Sequence, residues 1–374
     1  MDFVKRPTVA VVHLDHIRHN ARQILALLPK GQEVMAVVKA NGYGLGSVMT
    51  ARALGSCGIK KFGVATFEEG LELRKQGISH EIHILDGIMA PLEDYHSNRL
   101  YPVIYEMEHL KALNEYLARE QREFSASLKF DTGMGRLGFA PAQVDEVVAM
   151  LKRTPELKIV AVMTHLSKAD VDNTEHTARQ YTLFGKLREI LKERGLKNAK
   201  YGICNSAAIV DQRFEDFDFV RPGIILYGCY PDPRQHTKID LKPVVELKTR
   251  IFSLKKYQVN SSIGYRGTFV TDRESLIAFL PIGYADGYPR LVSNRGHAII
   301  RGLKAPIVGN ISMDLMAIDV TDIKDVELYD DVILIGQDGS EIIRVEDVAT
   351  WAETISYEII CGLSVRVPRV YEGA

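Results

Sequence analysis

Between residues 34 and 228 the chain repeats one pattern: a short apolar run ends in polar or glycine residues, and a longer amphipathic stretch follows. The runs are VMAVVKAN (34–41), KFGVATF (61–67), EIHILDG (81–87), YPVIY (101–105), SASLKFDTG (125–133), KIVAVMTHLS (158–167), YGICNSA (201–207) and FVRPGIILYG (219–228). Short apolar runs closed by turn formers read as strands, and the stretches between them as helices. HTARQYTLFGKLREILKERG (176–195), for one, places apolar residues at helical spacing and stops at a glycine. Eight strands alternating with helices over this length predict an α/β fold, a (β/α)8 barrel, with an open doubly wound sheet as the competing arrangement.

The pattern changes after about residue 240. From Val244 the chain becomes strand-like runs with close turns: VVELKTRIFSLKKY, LIAFLPIGY, HAIIRG, KAPIVG, LMAIDV and DDVILIG. Only VEDVATWAE (345–353) reads as a helix there. This spacing predicts a second, mainly β domain. The expected division is 1–240 and 241–374, joined through the polar, proline-bearing PDPRQH (231–236). A length of 374 residues suits one large barrel and a second domain.

Charge and cysteine usage narrow the function. A formal net charge of -1 offers no basic excess for a nucleic-acid backbone. No stretch approaches the ~20 apolar residues of a membrane span, and the first residues lack a signal peptide's unbroken apolar run, so a cytoplasmic protein is expected. The four cysteines, Cys57, Cys204, Cys229 and Cys361, are scattered. No zinc-like spacing occurs, no metal is expected, and three of them read as small buried hydrophobes.

A barrel places chemistry at the C-terminal ends of its strands. Lys39 ends the first run and is followed by Gly42, Gly44 and Gly46, which let backbone approach a ligand. A lone strand-end lysine is usually a solvated cap, but one partly desolvated by an apolar strand suits covalent attachment of an aldehyde. Runs seven and eight end in Asn205-Ser206 and Arg221-Pro222-Gly223-Ile224. In this fold those loops often hold a phosphate; Ser206 offers a hydroxyl and Gly223 a backbone N–H, while the plainer reading is a helix cap and a turn. A strand-one lysine and such a cradle suit a phosphorylated aldehyde. His165 ends run six, and Arg136, in DTGMGRLGF (131–139), could grip a carboxylate through its planar fork.

These segments together resemble the alanine racemase family. The resemblance is carried by AVVKANGYGLG (36–46), LKFDTGMGRLGF (128–139), THLS (164–167), CNSAA (204–208), RPGIILYG (221–228), IGYRGTF (263–269), PIGYADG (281–287), APIVGNISMD (305–314) and SYEIICGLSVRVPRVY (356–371), nearly end to end and in the family's order. It implies pyridoxal 5'-phosphate as cofactor, alanine as substrate, and a head-to-tail homodimer with shared active sites. By the resemblance Lys39 carries the cofactor and is one of two acid/base groups, the other being Tyr265 reaching in from the partner subunit. Tyr43, Ser206, Gly223, Ile224 and Tyr357 would hold the phosphate, His165 would pack near the ring, and Arg221 would donate to its nitrogen. Arg136 and Met313 would meet the substrate, with Asp314 and Tyr284 in support. Lys129 matches a lysine that several members carry as a carbamate. Leu45 stands where histidine is common, Gly42 where alanine is, and Ile263-Gly264 precedes Tyr265 in place of other small-residue pairs.

Four other readings stay open on sequence grounds: a racemase of broader small-amino-acid range, serine included; a barrel decarboxylase with the same cofactor, against which Arg221 and Tyr265 argue; a non-catalytic cofactor carrier; and an unrelated barrel lyase using Lys39. Arginine has no acceptor, so its partner ring nitrogen must be an unprotonated acceptor, a weaker electron sink that favours racemisation over transamination. The expected role is supply of D-alanine for peptidoglycan.

Overall fold

The computed structural model describes residues 6–171, 174–214 and 217–373. Eight parallel strands close into a barrel: Glu33–Val37, Lys61–Val64, Glu81–Ile84, Leu100–Ile104, Phe124–Lys129, Leu157–Met163, Lys200–Gly202 and Phe219–Val220. Closure is direct, since Glu33 and Val34 pair with Phe219 and Val220 of the last strand. The eight apolar runs therefore coincide with the eight barrel strands, and the open sheet is excluded. The helix Thr174–Glu193 covers one side, and Gly195, at φ +115°, follows its end.

Inside the barrel the strands' period of two sorts the side chains. Met35, Val103, Ala161, Met163 and Phe219 form one buried cluster within it. Gly202 makes room for Phe219, whose ring would lie 2.6 Å from an added Cβ. A polar layer lies towards the N-terminal ends of the strands. There the buried His83 meets Ser127 at 2.9 Å and Glu81 at 2.6 Å, and Lys61 pairs with Glu33 at 3.0 Å.

The second part is a ten-stranded sheet. It contains Val245–Arg250, Ser253–Tyr257, Ser275–Leu280, His297–Ile300, Leu303–Val308, Met316–Asp319 and Asp331–Asp338. Val9–His13, from the start of the chain, joins this sheet rather than the barrel, lying antiparallel to Val245–Arg250 and parallel to Arg369–Glu372. The predicted helix is present as Val345–Trp351. A second helix, Ser356–Gly362, corrects the expectation of a single one; its buried Ile359 and Ile360 are adjacent, a short apolar run that does not distinguish helix from strand. No helix among the described residues is long and apolar enough to cross a membrane.

Candidate active site

A cavity of about 790 Å3 opens at the C-terminal mouth of the barrel. Its walls follow from the same alternation that built the interior. Followed in steps of two along five of the strands, the inward face emerges from the interior at the mouth. Met35 leads by Val37 to Lys39, Val103 to Tyr105, Ser127 to Lys129, Met163 to His165, and Phe219 to Arg221 and Gly223; every one of these end points lines the cavity.

Lys39 stands at the start of an unusual turn. Ala40, Asn41, Gly42 and Tyr43 all have φ between +52° and +60°. Only one is glycine, and each L-residue there costs roughly 1–2 kcal/mol. The turn packs closely on the helix that follows: a Cβ added at Gly42 would lie 2.9 Å from the Ser47 nitrogen. Backbone bonds hold the turn, Gly42 N–H to Val38 O at 2.9 Å and Gly44 N–H to Ala40 O at 2.7 Å. Leu45 is wholly buried in the core rather than in the cavity wall.

The wall beside Lys39's strand is hydroxyl-rich. Asn205, not Ser206, caps the short helix Ser206–Val210, its Oδ1 accepting from Ala208 N–H at 3.2 Å. That leaves the Ser206 hydroxyl to face Gly223, whose N–H donates to it at 2.9 Å. A Cβ on Gly223 would lie 2.2 Å from the Tyr43 hydroxyl, so glycine is what lets that hydroxyl close on the backbone. The Tyr43 ring packs on Tyr227 at 4.6 Å and near Tyr357 at 6.0 Å. Burial pushes the Tyr43 and Tyr357 hydroxyls above the usual phenol range, so both stay protonated and able to donate.

The cavity is crowded with cations: Lys39, Lys129, Arg136 and Arg221 line it, against the single carboxylate of Asp86. Arg221 is buried, donating from Nη1 to Gly202 O at 3.3 Å and from Nη2 to Thr164 O, with His165 Nδ1 at 3.3 Å. Burial lowers its guanidinium to about 10, which still leaves it charged at neutral pH. Burial, then Arg221 and Arg136, brings Lys129 down to about 8. His165 falls well below its ordinary value through burial and the same cations, and so is neutral.

The structure thus brings together Lys39, Tyr43, Lys129, Arg136, His165, Ser206, Arg221, Gly223 and Tyr357, with Ile224 buried next to Gly223. Tyr265, Tyr284, Met313 and Asp314 are not among the residues lining this cavity. Tyr265 is 71% exposed and borders a separate hollow of about 350 Å3 lined by Ile263, Phe279, Val308 and Met316. Asp314 pairs with Arg366 at 2.7 Å. The wall also holds Asp86, Tyr105, Met89 and Cys361. Asp86 and Tyr105 close the third and fourth apolar runs, where the strand-end rule points to them. Cys361 departs from the buried-hydrophobe reading because Ser356–Gly362 ends at the cavity mouth; Cys204 and Cys229 are buried.

Residues 12–231 match the model of the alanine racemase N-terminal domain, and residues 244–371 match that of the C-terminal domain. The chain belongs to the alanine racemase family. It is 40% identical over 370 residues to the alanine racemase of Halothermothrix orenii, covering 99% of this chain and 98% of that one. The alanine racemase of the D-cycloserine producer Streptomyces lavendulae superposes with a TM-score of 0.94 at 31% identity, over 99% of this chain and 98% of the other. That of Bartonella henselae, solved with covalently bound pyridoxal phosphate, superposes with a TM-score of 0.89 at 30% identity, over 98% of this chain and 100% of the other. Membership makes the chain an isomerase, an amino-acid racemase acting on alanine.

Proposed function

We propose that this racemase uses pyridoxal 5'-phosphate held by Lys39 and moves the alanine α-proton with two groups, Lys39 and Tyr265. The observation that carries the reading is the cavity joining a strand-end lysine to a hydroxyl cradle and three further cations. The donors fit the group. Ser206, Tyr43, Tyr357 and the backbone at Gly223 and Ile224 would hold the phosphate, and the glycine lets the Tyr43 hydroxyl reach the cradle. His165, neutral, would pack near the ring. Arg221, charged and without an acceptor, would donate to the ring nitrogen and keep it unprotonated. When bound, pyridoxal phosphate makes the substrate α-proton acidic by taking up the electron pair it leaves behind.

Arg136 would pair with the alanine carboxylate through its fork. Lys39 would hold or accept the α-proton on one face and Tyr265 on the other, because one base cannot easily serve both. Tyr265 would arrive from a second copy of the chain with Met313, Asp314 and Tyr284 around it, in a homodimer with shared sites. In support, Tyr265, Met313 and Tyr284 are 71%, 53% and 43% exposed, and Tyr265 borders an apolar hollow. The domain division proposed is 1–240 and 241–374, with the strand Val9–His13 lent by the first to the second domain's sheet. A Lys129 amine lowered to about 8 has a neutral fraction able to form a carbamate, which would orient Arg136 instead of repelling it. The protein would act in the cytoplasm and supply D-alanine for peptidoglycan. A racemisation assay across L-amino acids, with absorbance of the purified protein, tests this. The expectation is a yellow protein most active on alanine; a colourless racemase would overturn the cofactor assignment.

A further inference from the structure

The left-handed turn bearing Lys39 is held at both ends by side chains that lie outside the cavity wall. At its start, Glu69 Oε1 accepts the Ala40 N–H at 2.6 Å, and Oε2 accepts the Ala65 N–H at 2.7 Å. One carboxylate so joins the ends of the first two barrel strands. At the turn's exit, Arg369 Nε donates to Gly44 O at 2.9 Å. The same guanidinium donates to Ser364 O at 2.5 Å, Val367 O at 2.6 Å and Leu363 O at 2.5 Å. Close backbone packing completes the exit: a Cβ on Gly44 would lie 2.4 Å from Ile360 O. Arg369 opens the last strand, whose register against Val9–His13 puts it there.

We propose that Glu69 and Arg369 are a pair of positioning residues that clamp the strained turn and present Lys39 to the cofactor. The proposal rests on the reading of Lys39 as the cofactor lysine. Residues in the left-handed region persist only where their surroundings over-determine them, and here the surroundings are a carboxylate at one end and a guanidinium at the other. Neither group has a close substitute. Glutamine in place of Glu69 turns an NH2 towards one of two N–H donors, and a lysine cannot span four carbonyls.

The test uses the purified full-length protein with pyridoxal 5'-phosphate added. Glu69→Gln and Arg369→Gln should each weaken cofactor binding about tenfold, the worth of one charge-assisted hydrogen bond, with Arg369→Lys intermediate. Amide exchange at Gly42 and Gly44 should quicken while the barrel strands stay protected. Ala40→Gly, which relieves left-handed strain, should recover part of the loss when added to Arg369→Gln. Unchanged affinity and exchange in both glutamine variants would overturn the clamp, as would a loss with exchange raised throughout the barrel and no recovery from Ala40→Gly. If Arg369→Gln does not fold, Arg369→Lys, which keeps stem and charge, carries the same comparison. If the wild-type protein takes up no pyridoxal phosphate, the cofactor reading fails, and exchange at Gly42 and Gly44 still decides the clamp.

Discussion

The barrel mouth and the face around Tyr265 are opposite kinds of surface. The mouth gathers Lys39, Lys129, Arg136 and Arg221 in one walled cavity with a single carboxylate. Burial, and then this crowding, lowers the amine of Lys129 and keeps His165 neutral, an arrangement that anionic groups, a phosphate and a carboxylate, would relieve. Around Tyr265 there is no such charge cluster in the hollow's wall. Exposed Tyr265 and Leu315 border an apolar hollow, which would be relieved by burial against another surface. A racemase needs proton donors on both faces of one carbon. On the proposed two-group reading, the difference means that this chain would equip one face itself and keep the second group on a surface suited to docking.

The largest expected effect breaks the first half. Lys39→Ala should lower racemisation by about 10^4-fold and abolish the absorbance of lysine-linked cofactor. An unchanged cofactor spectrum would remove Lys39 from its role. Next comes the second half. Tyr265→Ala should cost about 10^3-fold. Mixing it with Lys39→Ala under conditions that exchange subunits then tests the shared site. In a mixed dimer one site would carry both defects and the other none, so activity should return to about one quarter of wild type. Confirmed exchange with no recovery would place Lys39 and Tyr265 in the same chain's site.

A smaller effect sharpens the chemistry within the mouth. Arg221→Glu should favour a protonated ring nitrogen, lowering racemisation by roughly 10–100-fold while side transamination rises. Full racemase activity without a new side reaction would sink the account of Arg221.

The same contrast explains what could be read from sequence. The barrel was legible because its strands are continuous apolar runs whose last inward residues are polar. Lys39, His165 and Arg221 each stand two positions beyond a core residue. Asp86 and Tyr105 obey that rule and end two of the same runs. Other features depend on distant partners. The left-handed Ala40 and Asn41 read as a glycine-rich loop, since Glu69 and Arg369 reach them only in the folded chain. Val9–His13 completes a sheet with residues more than 200 positions away. Cys361 arrives on a helix whose apolar residues run together, Ile359-Ile360-Cys361, and do not distinguish helix from strand. The exposed setting of Tyr265 has no local signature either, because exposure is decided by what the β domain leaves uncovered.

The smallest effect concerns Lys129, and it asks whether the mouth is strained by its own charge. Its amine lies at about 8 in the folded chain against an ordinary 10.5, chiefly through burial and then Arg221 and Arg136. Between those values the unfolded chain binds more protons at this site than the folded one. Stability at this site therefore rises with pH from about 8 to 10.5, and below that window the charged amine destabilises the fold. Lys129→Met should thus stabilise the fold at pH 7 by on the order of 1–2 kcal/mol after solvent screening, read as a higher melting temperature, and gain less at pH 9.5. Bicarbonate separates charge strain from carbamate formation. A carbamate would convert the amine to an anion among cations, so added bicarbonate near pH 8 should stabilise wild type and leave Lys129→Met unmoved. A variant that is less stable than wild type at pH 7, without bicarbonate, would show that Lys129 is held by favourable contacts and that the mouth is not strained at this position.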